Sequence, residues 1–407
     1  MIPKEKFVKK IALKAVLLEC QKIGIFQKKC KDMMLRLPKV KNIMSSPNGE
    51  KNTRMILLKE DVVLSAEDDS FIQSMGGKIV EHQLKLGYSF FSTHEVLKEL
   101  LPDSIKEIPA RFETIGHIAH FNLREEQLPY KALIGNVIMD RNKHIRTVVH
   151  KTSSIASEFR TFPMEVIAGD DDLDVVMIEN SCKFKFNFKD VYWNSRLQGE
   201  HIHILSLLKP SDIVCDMMAG IGPFAVPAAK LGCEVFANDL NPHSFKYLLE
   251  NSKINKVESQ LKAYNMDGRD FVSSLREEGK IFTHILMNLP AAGIEFLDVF
   301  VNGCMDTWPE DAPMPMVHTY CFSRSPCPVK DVQERVTEVL GHNPFVDGAG
   351  EVREVRDVAP NKLMMCAEFR LRRDISRIPS SKANDHDHGT KRSISEDDSS
   401  DTKKPRI

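Results

Sequence analysis

The stretch Asp212-Ile-Val-Cys-Asp-Met-Met-Ala-Gly-Ile-Gly-Pro-Phe224 decides the fold prediction, because it reads as a strand, a glycine turn and a helix in succession. The apolar run 213–217 is typical of a short buried strand. Gly220 and Gly222 permit backbone angles and close approaches that a Cβ would forbid, and Pro223 suits a first helical position. Open α/β sheets hold nucleotide-like ligands at such turns. The full G-x-G-x-x-G of a dinucleotide fold is absent, so the following strands must indicate the ligand.

Strands alternate with helices over residues 191–373, which predicts a parallel sheet with its strand ends on one rim. Asp216, Asp239 and Asp267 each lie at the end of one of the first three strands. Asp239 is suited to accept hydrogen bonds from ribose hydroxyls, and Asp267 is placed for an adenine amino group. No phosphate-binding G-x-x-x-x-G-K-[ST] is present, and three carboxylates would repel a pyrophosphate. A cofactor that combines adenosine with a cation fits better, which predicts S-adenosylmethionine and a methyltransferase.

The predicted fourth strand, 283–287, ends in Asn288-Leu-Pro290. An Asn side chain and a backbone carbonyl of a proline-rigidified turn can hold a planar base by its amino edge. Enzymes that methylate adenine N6 usually have an aromatic residue after the proline, whereas this chain has Ala291. RNA cytosine-C5 enzymes need a nearby cysteine nucleophile, and none follows Pro290.

Residues 1–105 and 106–190 are predicted to form two smaller α+β domains. In the first, the apolar spacing of Leu13–Cys20 predicts a helix. Ser92-Thr-His-Glu95 matches a capping box that opens an amphipathic helix. In the second, the run Ile134–Met139 predicts a strand.

The composition is that of an ordinary globular chain, with 407 residues, 42% hydrophobic and 28% charged. No apolar run approaches the roughly 18–20 residues that span a bilayer, so no membrane association is expected. The nine cysteines form no C-x-x-C pair, so we predict neither a zinc site nor a disulfide framework. His117 and His120 are too isolated to form a metal site, and no metal is predicted.

The net charge of −1 conceals a strong asymmetry along the chain. Residues 1–60 carry fifteen Lys/Arg against five Asp/Glu, which is typical of a nucleic-acid contact surface, of a solvated lysine-rich face or of an organelle presequence. Residues 374–407 lack aromatics and are predicted to be disordered. Their basic clusters, Lys391-Arg392 and Lys403–Arg406, suggest a bipartite nuclear import signal; the alternative is a merely soluble tail.

Seven stretches of the sequence carry a family resemblance. They are His117–Arg124, Leu128–Gly135, Ser157–Glu165, Val191–Leu197, Asp216–Phe224, Met287–Pro290 and Val355–Lys362. With these, the chain closely resembles the eukaryotic branch of the class I tRNA (guanine-N1)-methyltransferases that modify position 37, beside the anticodon. The N-terminal hundred residues resemble the family only in size, basic character and the start Pro3–Phe7.

The resemblance implies a Rossmann-like class I S-adenosylmethionine-dependent methyltransferase domain in residues 191–373. It implies that Glu200 is the general base that takes the guanine N1 proton, and that Arg160 stabilises charge on O6. Both roles agree with the chemistry. The alternative readings are an acidic residue favoured in a first helical turn for Glu200, and a domain-interface ion pair for Arg160. Asn288 and Pro290 would orient the base.

The family resemblance also implies which residues line the cofactor. Besides Asp216, Gly220 and Gly222 of the turn, these are Asp239, Leu240, Asp267, Gly268, Asn288 and either His201 or Arg196. Tyr192 is a candidate for stacking or for the core.

The implied partner is tRNA with G37, and a monomer is expected. The family works in nucleus, cytoplasm and mitochondrial matrix; here the tail favours the nucleus, and the N-terminus only permits mitochondria. Two alternatives stay open. One is the related aminocarboxypropyl transferase of wybutosine synthesis, which uses the same cofactor. The other is a non-catalytic tRNA-binding scaffold.

Overall fold

The structure is a computed structural model that describes residues 2–152, 161, 163–301 and 308–373. Its strands are β1 (Lys9–Glu19), β2 (Ile43–Ser45), β3 (Thr53–Leu57), β4 (Lys78–Leu86), β5 (Glu113–Ile115), β6 (Ile118–Phe121), β7 (Thr147–Lys151), β8 (Met164–Gly169), β9 (Asp174–Glu179), β10 (Cys182–Asn187), β11 (Ile213–Asp216), β12 (Glu234–Asn238), β13 (Leu261–Tyr264), β14 (His284–Met287), β15 (Met316–Ser323), β16 (Gly350–Ala359) and β17 (Lys362–Arg370). Its α-helices are α1 (Ile23–Cys30), α2 (Ala66–Ser74), α3 (Thr93–Leu100), α4 (Lys131–Arg141), α5 (Gln198–Leu207), α6 (Ala225–Leu231), α7 (Pro242–Asn255), α8 (Gly268–Glu277) and α9 (Pro328–Leu340).

The chain divides into two compact units, each of which combines two segments of the sequence. The first unit contains Met1–Ser211 and Ala219–Met266, and the second contains Asp212–Met218 and the chain from Asp267 onward. These bounds differ from the domain bounds predicted from the sequence, which stay a prediction. The described part of the chain is a mixture of helices and strands, so the predicted α/β class is confirmed.

The N-terminal sheet of the first unit has the antiparallel order β2-β3-β1-β4. The helix predicted for Leu13–Cys20 is wrong, since most of this stretch belongs to β1. Leu13 and Ala15 face one buried cluster, whereas Val16 and Leu18 face another. A central strand that is buried on both faces has a nearly continuous apolar run, which sequence periodicity does not separate from a buried helix.

A second sheet of the first unit has the order β5-β6-β7-β8 and packs against α3 and α4. The capping box at the start of α3 is confirmed, because Glu95 N donates to Ser92 Oγ over 3.2 Å and Ser92 N donates to Glu95 Oε2 over 2.7 Å. The strand predicted for Ile134–Met139 is wrong, since these residues lie in α4. Ile134, Val137 and Ile138 are fully buried at helical spacing, so packing overrides their β-branched preference.

The first unit also contains the β9–β10 hairpin and the parallel pair β12–β13. The predicted start of α7 is confirmed. Asn241 is its N-cap, with Oδ1 accepting from His243 N over 2.9 Å, and Pro242 is its first residue.

In the second unit five strands follow in the order β11-β14-β15-β17-β16. The pairs β11–β14 and β14–β15 are parallel, as predicted, whereas β17 joins β15 and β16 antiparallel. The predicted first strand ends one residue early, at Asp216, and Met217 N donates to Leu286 O over 3.0 Å. Within the residues that the structure describes, no helix combines the length and the apolar character needed to cross a membrane.

Candidate active site

The glycine turn ahead of α6 combines two glycines with different roles. Both have positive φ angles, +57° at Gly220 and +96° at Gly222, which L side chains rarely adopt. A Cβ on Gly222 would lie 2.7 Å from Val226 Cγ2 and 2.8 Å from Leu248 Cδ1. Beside Gly220, in contrast, none of the described neighbours comes within 4 Å of a Cβ position. Packing therefore requires Gly222, whereas the space beside Gly220 is open to a ligand.

Asp239 is tied to this turn by its carboxylate. Gly220 N donates to Oδ2 over 2.8 Å, and Asn241 N donates to Oδ1 over 2.9 Å. Burial raises the pKa of the Asp239 carboxyl, against the opposing effect of hydrogen bonds from Asn241, Gly220 and Ser244. The structure thus brings together two of the sequence-predicted cofactor residues. Leu240, which follows Asp239, is 43% exposed.

Two asparagines that sequence reasoning missed hold the ends of β12 and β13 together. Asn238 and Met266 exchange hydrogen bonds, since Asn238 Nδ2 donates to Met266 O and Met266 N donates to Asn238 Oδ1, both over 3.0 Å. Asn265 Nδ2 donates to Asp239 O over 2.7 Å and to Leu240 O over 3.0 Å. In the sequence, the only sign of these contacts is an asparagine at the end of each strand. The two asparagines fix the loop that carries Asp239.

In the second unit, Asp267 is the N-cap of α8. Its Oδ1 accepts from Arg269 N over 2.8 Å, so the capping role that often explains such acids is present here. The adjacent Gly268 is buried, and a Cβ there would lie 3.2 Å from the ring of Phe296. Phe296 is a further residue that sequence reasoning missed, and the Arg269 guanidinium lies 4.2 Å from its ring centroid.

The turn after β14 is closed by its own backbone. Leu289 O accepts from Gly293 N over 2.7 Å, and Pro290 O accepts from Phe322 N over 2.9 Å. Gly293 is required there, because a Cβ would lie 2.7 Å from Tyr320 O. Both carbonyls thus have backbone donors, and Asn288 stands at the half-buried start of this turn.

Glu200 and His201 lie in the first turn of α5, and both side chains are buried. His201 Nδ1 lies 2.5 Å from Glu179 Oε1, and its ring meets Phe224 edge-on at 4.6 Å between centroids. His201 is therefore held between β9 and the residue that ends the glycine turn. Asp216, at the end of β11 in the second unit, is fully buried.

The entry to α5 is anchored by Glu113 of β5. Ser195 donates to Glu113 Oε1 twice, from N over 3.1 Å and from Oγ over 2.7 Å. Burial would raise the pKa of Glu113, but hydrogen bonds from His120 and Ser195 outweigh it and lower the pKa. His120 thus helps to fix the residues that lead to Glu200. Arg196 and Tyr192 on this segment are exposed.

Comparison with known proteins connects this geometry to a family. The chain matches the TRM5/TYW2 methyltransferase domain over residues 175–339 and the TYW2 N-terminal domain over residues 93–172. It is 44% identical over 406 residues to the tRNA (guanine(37)-N(1))-methyltransferase of Phytophthora infestans, an alignment that covers 97% of this chain and 98% of the relative. The chain belongs to the tRNA (guanine(37)-N(1))-methyltransferase family. This confirms the family, its eukaryotic branch and the enzyme class predicted from the sequence.

The fold of this chain is also similar to those of solved structures. The crystal structure of wild-type Trm5b from Pyrococcus abyssi is 26% identical, with a TM-score of 0.65, and the match covers 88% of this chain and 99% of that one. The crystal structure of TYW2 from P. horikoshii, in complex with MeSAdo, is also 26% identical, with a TM-score of 0.50 and coverage of 68% and 97%.

Arg160, the predicted O6-stabilising cation of this methyltransferase, lies outside the described residues. Among those that are described, no group of three His, Cys, Asp or Glu side chains could hold a metal ion. The catalytic and cofactor-binding roles of these residues stay predictions.

Proposed function

We propose that this enzyme transfers a methyl group from S-adenosylmethionine to N1 of guanosine 37 in the tRNA anticodon loop. The observation that carries the proposal is the hydrogen bond from Gly220 N to Asp239 Oδ2, because it holds an acceptor-rich group beside an open glycine turn. The 44% identity to a relative named for this activity supports the choice of reaction.

The residues around this bond fit the adenosine part of the cofactor. The open side of Gly220 lets a ligand approach the backbone, and Asp239 keeps acceptor capacity because a carboxylate offers about four lone-pair sites. These acceptors suit ribose hydroxyls. The complex of the 26% identical TYW2 with MeSAdo supports a ligand of this type. When bound, S-adenosylmethionine supplies the methyl group on a positively charged sulfur.

The remaining cofactor contacts are assigned from the same chemistry. Leu240 offers an exposed apolar surface, and Gly268 allows close approach next to Phe296. One oxygen of Asp267 caps α8, and we assign the other to the adenine amino group. His201 contacts Glu179 through Nδ1 and packs against Phe224, and either His201 or Arg196 would line the cofactor.

Glu200 is assigned as the general base. Guanine N1 carries a proton at neutral pH, so a group within hydrogen-bond reach must accept it as the methyl group is transferred. Glu200 is 8% exposed, and a carboxylate shielded from water interacts more strongly with a bound base than an exposed one. The hydrogen bonds between Ser195 and Glu113 fix the chain just ahead of it.

Two further residues would act on the base itself. Asn288 would orient its polar edge, and Pro290 stiffens the turn whose carbonyls have backbone donors. Arg160 would stabilise the negative charge that develops on O6 as N1 loses its proton. A guanidinium suits this role because it stays charged at neutral pH.

The tRNA would be held largely by charge. Base-modifying enzymes extrude the target nucleotide into a pocket, and phosphate contacts position the remainder. Lys28, Lys29 and Lys31, in and just after α1, are exposed and lie in the basic N-terminal stretch. Binding through such residues weakens with rising salt according to the number of phosphates contacted.

We further propose a monomer that works in the nucleus and the cytoplasm, with the mitochondrial matrix as an additional location. The basic clusters Lys391-Arg392 and Lys403–Arg406 support nuclear import and lie outside the described residues. Fluorescent fusions at each terminus test this. Nuclear signal should be lost when residues 391–406 are deleted, and its full retention would reject the import signal.

The reaction is tested with cofactor labelled either in the methyl group or in the carboxypropyl carbons. The substrates are an unmodified tRNA with G37 and the same tRNA with A37 as the matched control. Only the methyl label should enter the G37 tRNA, and nuclease digestion should yield N1-methylguanosine. Transfer of the carboxypropyl label would identify the wybutosine-pathway alternative. Tight tRNA binding with no transfer of either label would identify a non-catalytic scaffold.

A further inference from the structure

Asn251 of α7 uses both halves of its side-chain amide, and one of them reaches the glycine turn. Its Oδ1 accepts from Lys185 N of β10 over 2.8 Å, and its Nδ2 donates to Ile221 O over 3.1 Å. The side chain is fully buried. Ile221 stands between Gly220 and Gly222, so this amide connects the edge of a strand to the turn assigned to the cofactor.

Two neighbours on α7 show what is particular to Asn251. Leu248, one helical turn earlier, packs so closely that a Cβ on Gly222 would lie 2.8 Å from its Cδ1. Asn255, one turn later, binds the same strand edge, accepting from Lys183 N over 2.8 Å and donating to Lys183 O over 2.7 Å. Its Nδ2 also donates to Asn251 O within the helix, over 2.8 Å. Asn255 therefore repeats the contact with β10 but directs its amide to the strand and the helix, whereas Asn251 directs its amide to the turn.

A hydrogen bond to Ile221 O restrains the peptide between Ile221 and Gly222, one residue beyond Gly220. The Gly220 N–H must point at Asp239 Oδ2, and the backbone at Gly220 has the unusual freedom of a glycine. A buried carbonyl that lost its donor would favour other turn conformations, because an unsatisfied buried polar group is costly. The donor on α7 thus removes conformations in which the turn and the carboxylate separate.

We propose that Asn251 is a positioning residue for S-adenosylmethionine, which holds the Gly220–Gly222 turn in its binding conformation through Ile221 O. The proposal rests on the proposed function, since it assumes that this turn contacts the cofactor. The hydrogen bond from Lys185 N anchors the Asn251 side chain to β10. The hydrogen bond to Ile221 O is the one whose loss weakens the binding of S-adenosylmethionine.

The test compares Asn251→Asp with Asn255→Asp in the full chain. Aspartate keeps the acceptor for the Lys185 or Lys183 amide in each case, but replaces the donor by an oxygen. Asn251→Asp should raise the Kd for S-adenosylmethionine about tenfold, the effect of losing one buried hydrogen bond. Asn255→Asp should change it less than about twofold. At saturating cofactor, Asn251→Asp should keep the wild-type kcat, so that the loss falls on KM.

A readout specific to the donor comes from pH. Burial raises the pKa of a carboxyl, and the carboxyl introduced by Asn251→Asp could, once protonated, again donate to Ile221 O. The affinity of N251D relative to the wild type should therefore recover as the pH is lowered within the range where both proteins are folded. A residue that matters only for packing would show no such recovery.

Serine variants provide a second test in case the buried aspartate of Asn251→Asp prevents folding. Asn251→Ser and Asn255→Ser both remove the amide, and the first should weaken cofactor binding more than the second at equal thermal stability. The proposal is overturned if the two positions weaken binding equally, if neither does, or if neither Asn251 variant folds, which would make the residue a folding requirement. A wild type that does not bind S-adenosylmethionine would instead reject the proposed function.

Discussion

Gly220 and Asp239 are 19 residues apart in the sequence, yet the Gly220 backbone N–H donates to Asp239 Oδ2 over 2.8 Å. The other carboxylate oxygen accepts from Asn241 N, so one side chain fixes both the glycine turn and the start of α7. The carboxylate that we assign to the ribose is therefore also a structural element of the turn that the cofactor would contact. Substitutions at these positions should affect binding through geometry as well as through direct contacts.

Asp239→Asn should weaken S-adenosylmethionine binding by at least about tenfold, because the amide places an N–H donor opposite a backbone N–H and removes an acceptor. Isothermal titration measures the Kd, and tRNA affinity in the same samples reports on folding. Asp270→Asn is the matched control, because Asp270 is exposed in the first turn of α8. An unchanged Kd in Asp239→Asn would remove this residue from the cofactor site.

Variants of Asp267 separate its capping role from its proposed contact with adenine. Serine is as good an N-cap as aspartate, so Asp267→Ser should keep thermal stability, whereas Asp267→Ala should lose about 1 kcal/mol. Both lack the second carboxylate oxygen, so both should weaken cofactor binding several-fold. Differential scanning calorimetry and the Kd give the two readings. Wild-type affinity in Asp267→Ser would show that the residue is only a cap.

The two turn glycines should respond differently to alanine. At Gly222 the new methyl would collide with Val226 and Leu248, so Gly222→Ala should lower the free energy of unfolding by about 2–3 kcal/mol. At Gly220 no described residue lies within 4 Å of the new methyl, so the cost is that of the left-handed backbone, about 1 kcal/mol. Gly220→Ala should instead mainly raise the Kd for the cofactor. Gly199→Ala, in an exposed part of α5 with no described neighbour within 4 Å of the new methyl, is the control.

Around the glycine turn, some features could be predicted from the sequence and others could not. The glycine turn, the strand-end acids and the Asn241 cap follow local rules of backbone geometry, and the structure has the turn and the cap where they were predicted. The prediction that Pro223 is a first helical residue is wrong, since α6 begins at Ala225. The sequence places Gly220 after the first strand and Asp239 at the end of the second, but the hydrogen bond between them is a finding of the structure. The roles of Asn238 and Asn265 could not be predicted, because an amide in a turn gives no indication of which distant carbonyl it will meet.

The two wrong secondary-structure predictions, at β1 and at α4, also result from long-range contacts. At β1 the apolar residues face two different cores, and at α4 a run rich in β-branched residues packs as a helix against β8. In both places long-range packing outweighs local preference, and a single sequence shows only the latter. The alternating strands and helices around the glycine turn were easier to predict from the sequence. Short apolar runs between glycine- and asparagine-rich turns are typical of buried parallel strands and have few other interpretations.

The second unit contains a network of titratable side chains centred on the buried His318. His284 Nδ1 and His318 Nε2 lie 3.1 Å apart, and His318 Nδ1 lies 2.9 Å from Glu368 Oε1. At one end Asp212 Oδ2 is 3.6 Å from His284 Nε2, and at the other Arg353 Nη2 is 3.1 Å from Glu368 Oε1.

Two side chains of this network, His284 and Glu368, have strongly shifted pKa values. Burial lowers the pKa of His284 to about 4, with His318 and Arg370 acting in the same direction and Asp212 against it. Burial alone would raise the pKa of Glu368, but hydrogen bonds from His318 and Arg353 outweigh it and bring the pKa to about 2.

The stability of the protein should therefore fall in two acid steps. The unfolded chain binds a proton at His284 at higher pH than the folded one, so the stabilisation is complete above about pH 6.5 and is lost as the pH falls toward 4. Glu368 stabilises fully above about pH 4.5 and loses this effect as the pH falls toward 2.

Substitution of His284 tests the first step. His284→Gln should reduce the loss of unfolding free energy between pH 7 and pH 4.5 by about 2 kcal/mol, as measured by urea titration. His144→Gln, at an exposed position, should leave the wild-type pH dependence unchanged. A parallel dependence in His284→Gln and the wild type would contradict the assignment.

The most direct test of the catalytic assignment is the single-turnover rate of methyl transfer to G37 in Glu200→Gln. With cofactor and tRNA both bound at saturation, the rate should fall at least about a hundredfold, because the N1 proton loses its acceptor, while both Kd values stay near those of the wild type. Glu258→Gln, at an exposed glutamate, should keep the full rate. A Glu200→Gln enzyme that methylates guanosine 37 as fast as the wild type, or a wild type that produces no N1-methylguanosine there, would contradict this account.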